Sequence, residues 1–159
     1  MGTAPVRYDV VEVNVTRHLH YGLVVVGPLS LPGYVDSDHI RDWAQRAQPW
    51  PEVGSRIRGV VLGYTSVRPA PTRLRVTARP GDIALVESVE DPDEALRTWR
   101  NTCQEGVRAA EVLLRSTHAI PLLRWALTRA PDGNDHRLAS AILADAPPAI
   151  REQCLGSQA

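Results

Sequence analysis

The stretch VVEVNVTRHLHYGLVVVGPLSLPGYV, Val10 to Val35, decides how this chain folds. Its first part alternates: Val11, Val13 and Val15 fall on one face, Glu12, Asn14 and Thr16 on the other. A period of two is that of a half-buried strand. YGLVVVG is a short apolar run closed by Gly27-Pro28 and predicts a second strand. LPGYV predicts a third, entered through a proline that suits a strand edge.

Alternation returns downstream. In SRIRGVVLGY, Ile57 faces in while Arg56 and Arg58 face out, a fourth strand. In TRLRVTAR, Leu74, Val76 and Ala78 take one side and Arg73, Arg75, Thr77 and Arg79 the other, a fifth. RPAPT reads as the loop between these two strands. Between the third and fourth, DSDHIRDWAQRAQPWP predicts a short helix capped by Asp36 or Asp38. Ile40, Trp43 and Ala47 share its stripe, and Pro49 and Pro51 end it. IALVES, after the fifth strand, reads as an edge segment or a crossing to the helical half.

Near residue 88 the composition changes from Val, Gly and Pro to Ala, Leu, Arg and Glu at helical spacing. Asp91 is a candidate N-cap, followed by Pro92 at the first helical position and by Asp93 and Glu94 in the first turn. Leu96, Trp99, Cys103, Val107, Ala110 and Leu114 then fall on one face, predicting a single long helix with Cys103 in its core stripe. AIPLLRWALTRA and HRLASAILADA predict two more helices, and PPAIREQCL a short fourth. Trp99 and Trp125 read as helix core; Trp43 and Trp50 read as pins holding the inter-strand helix to the barrel. The fold class is therefore α+β. Five strands with an inter-strand helix, in the order of an OB-type β-barrel, occupy residues 1–87, and three or four helices occupy residues 88–159.

Charge is balanced, with 18 basic and 18 acidic residues, and every basic residue is arginine. Zero net charge argues against a strongly electrostatic nucleic-acid binder. Ten arginines and eight acids lie in residues 1–87, against eight and ten in residues 88–159, so any such affinity belongs to the first half. Cys103 and Cys154 lack zinc-ligand spacing and read as reduced thiols. No run approaches membrane length and no secretory leader is apparent, which predicts a soluble, cytoplasmic protein with no membrane partner.

The barrel half resembles the S1-type RNA-binding domain first known from ribosomal protein S1. The echoes, in order over about residues 6–80, are VEVNVTRHLHYGLVVV, LPGYVDSDHI, WPEVGSRIRGVVLG and TRLRVTAR. Tyr21-Gly22 matches the family's aromatic-glycine turn, Gly33 the glycine at the third strand, Gly54 the turn before the fourth, and Arg73 the arginine of the last. Two positions depart from the pattern. Val24 stands where the family places a second aromatic, and Asp36 where it favours histidine. The helical half has no counterpart in the family.

The resemblance implies a non-enzymatic module that binds RNA or another single-stranded nucleic acid on the face of the second and third strands. His18, His20, Tyr21 and Tyr34 would stack on bases, and Arg73, Arg75 and Arg79 would hold phosphates. The alternative is a protein-binding adaptor, or an immunity-type inhibitor of the kind bacteria use to mask a toxin. It would keep the barrel, lose the nucleic-acid face, and engage a protein partner through the helices. His18 and His20, with His39, offer no third ligand at a metal-site spacing. No nucleophile motif or phosphate loop is present, so no catalytic residue, metal or cofactor is expected.

Overall fold

The computed structural model describes residues 2–65 and 72–156. The predicted RPAPT loop falls mainly on residues 68–71, outside that range. The chain divides into two compact units, Met1–Val86 and Glu87–Ala159.

The first unit is a closed five-stranded barrel, with strands in the order β1-β2-β3-β5-β4. The strands are β1 (Val10–Leu19), β2 (Gly22–Val26), β3 (Pro32–Asp36), β4 (Arg56–Thr65) and β5 (Arg73–Thr77). All pairs are antiparallel except β3–β5, which run parallel and close the cylinder. Closure gives each of the five strands a partner on both sides, so none of them is an edge that recruits another chain. This is the OB-type barrel the alternating patterns predict. Val13, Val25, Val35, Val61 and Leu74 are fully buried within it. Burying each such side chain stabilises the fold by about 1.5–3 kcal/mol.

Gly33 makes the parallel closure possible. A Cβ there would lie 2.9 Å from the Leu74 Cβ and 3.0 Å from the Leu74 carbonyl oxygen, so only glycine lets β3 and β5 approach.

β1 does not hold one register along its length. A bulge falls between Val15, which pairs Val25, and Arg17, which pairs Val24. The extra residue is Thr16, whose hydroxyl donates to the Val24 carbonyl at 3.1 Å. The alternation reverses at this point. Val13 and Val15 point into the barrel, Arg17 and Leu19 point out of it, and His18 shares the inner side with its partner Leu23.

The predicted inter-strand helix is not an α-helix. Residues Ser37–His39 and Trp43–Gln45 form two separate 3₁₀ turns. The reason is visible at Asp42. Its backbone is extended, with ψ at 167°, which breaks the helical run, and its buried carboxylate accepts from the Gly81 amide at 2.8 Å. Of the expected stripe, Ile40 reaches the core while Trp43 and Ala47 are exposed. Trp50 packs on the barrel core, whereas Trp43 carries the Arg46 guanidinium on its ring at 4.1 Å. IALVES is likewise no strand: it lies in α1 (Pro80–Ser88).

The second unit holds α2 (Pro92–Glu105), α3 (Ala110–Arg115), α4 (Ala119–Leu127), α5 (Asn134–Ala144) and α6 (Pro148–Leu155). Asp91 caps α2 as expected, accepting from the Glu94 amide at 3.1 Å. The single long helix breaks at Gly106, whose φ of 72° ends α2 before a 3₁₀ turn over Gly106–Ala109. The buried face is therefore Ala95, Trp99, Thr102 and Leu113, and Cys103 and Val107 are exposed. Trp99 is core, meeting Trp125 edge-on at 6.2 Å and donating from Nε1 to Asp135 Oδ1 at 2.8 Å.

Candidate functional site

The outer face of β1, β2 and β3 carries an open groove of about 550 Å³. Register builds it. Arg17 pairs Val24, Val24 pairs Tyr34, and Tyr34 pairs Arg75, so these four stand in one row across β1, β2, β3 and β5. At the usual strand spacing the row is about 14 Å long. A second row holds Leu19, Gly22 and Asp36. Pro32 and Arg73 complete the far end, and Tyr21 stands at the near end.

Tyr21 belongs to the two-residue turn that joins β1 to β2. Its carbonyl accepts from the Ser37 amide at 2.9 Å, which ties the turn to the end of β3. Tyr21 as a whole is 59% exposed, and a stacking platform requires exposure. Gly22 follows because a side chain there would collide with the Val35 carbonyl on β3.

The expected site residues divide. Tyr21, Tyr34 and Arg73 line the groove, and Arg75 adjoins Tyr34 in register. His20 stands beside the site, its ring edge-on to Tyr21 at 4.8 Å. His18 does not line it. Beyond the bulge its Nε2 lies 2.6 Å from the Pro51 carbonyl oxygen, and its ring meets Trp50 at 5.8 Å. The predicted sharing of one face by His18 and Tyr34 is therefore corrected by the bulge. The outward placement of Thr77 and Arg79 is corrected too. Thr77 is fully buried, and the Arg79 Nε donates to Asp82 Oδ2 at 2.8 Å with both side chains 13% exposed. Asp82 also accepts from the Thr77 hydroxyl at 2.6 Å. Arg79 thus fastens the β5–α1 corner.

Arg17 is a groove residue that the sequence pattern does not reveal. Simple alternation from Val11 leaves it on the core side, and only the bulge brings it to the groove. Both departures from the S1 pattern lie in the groove: Val24 forms its floor between Arg17 and Tyr34, and Asp36 ends its second row. The Asp36 carboxylate is 3.8 Å from His39 Nδ1. Among the described residues, no group of three or more His, Cys, Asp or Glu is arranged to hold a metal ion.

Weak likenesses to this chain occur among solved structures. The chain is similar to one in the a/eIF2alpha–aDim2p–rRNA complex of Pyrococcus horikoshii OT3, with 12% identity, a TM-score of 0.40, and coverage of 91% of this chain and 98% of that one. It is also similar to the intact alpha subunit of aIF2 from Pyrococcus abyssi, with 14% identity, a TM-score of 0.40, and coverage of 89% of this chain and 52% of that one. No family model matches the sequence, and no curated protein does. The barrel assignment rests on the strand pairing.

Proposed function

We propose that this chain is a non-enzymatic, S1-like module that binds single-stranded RNA in the groove on its β1–β2–β3 face. The observation that carries the reading is the groove itself, which gathers two tyrosines and two arginines along one row and its ends. Tyr21 and Tyr34 supply faces on which unpaired bases stack. Arg17 and Arg73 line the groove and Arg75 adjoins it, so three guanidinium groups can meet phosphate oxygens. The charge is local, which is how a chain of zero net charge can hold an anionic strand.

Titration with a fluorescent single-stranded RNA at several salt concentrations tests the reading. Three phosphate contacts predict a log–log salt slope of about −2. Binding that ignores salt, or that survives Tyr34→Ala together with Arg75→Ala, overturns it. The adaptor alternative takes its support from Val24 and Asp36, the apolar and acidic positions in the groove. It predicts no RNA affinity at any salt.

A further inference from the structure

We propose that Asp36 makes this groove selective for guanine within a single strand. The inference rests on the RNA-binding reading and adds to it the base that is preferred.

Asp36 ends β3 two residues after Tyr34, so both side chains stand on the outer face, about 6.5–7 Å apart along the strand. Both line the groove with Tyr21. The residue facing Asp36 across the ladder is Gly22, which has no side chain to cover the carboxylate. That gap is fixed by the fold, because any Cβ at Gly22 would run into the Val35 carbonyl. Asp36 opens the 3₁₀ turn at Ser37 but makes no side-chain capping bond to it. Its carboxylate is 44% exposed, with His39 Nδ1 3.8 Å away. The result is a carboxylate held beside an aromatic platform and open toward the groove.

A carboxylate only accepts hydrogen bonds. It also repels phosphates, so in a groove for RNA its useful partner is a base edge. A base stacked on Tyr34 presents that edge along the strand toward Asp36. Guanine offers the N1 hydrogen and the 2-amino group side by side, a pair of donors that matches the two carboxylate oxygens. Cytosine and adenine offer one amino group next to a ring acceptor, which the carboxylate repels. Uracil offers one N–H between two carbonyls. The donor count therefore favours guanine, and a well-formed two-point contact of this kind is worth roughly five- to 150-fold in affinity.

Fluorescence anisotropy with three octamers decides the matter: all uridine, uridine with one central guanosine, and uridine with one central inosine, which lacks the 2-amino group. The intact chain is expected to bind the guanosine octamer about tenfold more tightly than the all-uridine one, with inosine between them. Asp36→Asn is expected to shrink the preference to within about twofold and to raise all-uridine affinity by removing a negative charge. Equal binding of all three by the unaltered chain, with affinity still lost in Tyr34→Ala, overturns the guanine preference and leaves the RNA reading standing. A preference that survives Asp36→Asn overturns it as well. Failure to bind any octamer removes both.

Discussion

Tyr34 and Arg75 face each other across the parallel β3–β5 pair, where the barrel closes. Under the proposed RNA reading, one strand junction presents a ring for a base and a guanidinium for a phosphate. The two substitutions should be distinguishable. Tyr34→Ala should cost about 1–3 kcal/mol of RNA binding and leave the salt slope unchanged. Arg75→Ala should weaken all sequences alike and flatten the slope by about 0.7. Titrations of both variants across salt provide the check.

His18 points the other way. His18→Ala removes the contact to the Pro51 carbonyl and the edge of Trp50, and so loosens the loop before β4. The expected loss is about 1 kcal/mol of stability in urea unfolding, with RNA affinity kept within about twofold. A large affinity loss without destabilisation would place His18 in the groove after all.

Arg79 makes the opposite case to Arg75. Arg79→Ala removes the guanidinium from Asp82, a largely buried carboxylate that also accepts from the Thr77 hydroxyl. Breaking such a pair from one side destabilises by about 3 kcal/mol. Thermal unfolding should show the loss. RNA affinity, measured well below the melting temperature, should hold.

Gly33→Ala should be more damaging than its single methyl suggests. The added carbon meets Leu74 from both its side chain and its backbone, so the β3–β5 closure must spread. Overpacking of this kind costs about 1–3 kcal/mol. Backbone amide exchange should rise at β3 and β5 before it rises in the rest of the barrel.

Cys103 has a raised pKa, first from partial burial of the thiol and then from the negative charge of Asp135, whose Oδ1 is 3.9 Å away. Less thiolate is present at neutral pH, and the thiolate is the reactive form. Alkylation should therefore be slow at pH 7, with its half-maximal rate above the pH of an ordinary thiol. Asp135→Asn should move that pH down and speed the reaction. Cys154 is raised by burial with Arg124 pulling it back, so it should not respond to the change. Peptide mass spectrometry resolves the two sites.

Much of the barrel is legible in the sequence because each strand carries its own signal. Val13 and Val15, or Leu74 and Val76, show the two-residue period without reference to any neighbour. What the sequence hides depends on partners far along the chain. The bulge at Thr16 is set by the ladder with β2, and it alone decides that Arg17 joins the groove and His18 leaves it. Arg79 reads as one more outward arginine of β5 until Asp82, three residues on, is seen to turn back onto it. Asp42 looks like part of a local helix because its partner, the Gly81 amide, is 39 positions away. Gly106 is different. Its break shows in the sequence as a glycine within a helical pattern, and the continuous apolar spacing around it masks the stop.

The kink in β1 divides that strand into two independent tenants. Ahead of Thr16, Val13 and Val15 are committed to the interior, and exchanging either disturbs the whole cylinder. Of the residues beyond Thr16, His18 still braces the loop before β4, while Arg17 and Leu19 answer to whatever visits the surface. Selection can rewrite Arg17 or Leu19 to suit a new visitor while the interior goes untouched, so the same scaffold can change its clientele without having to refold.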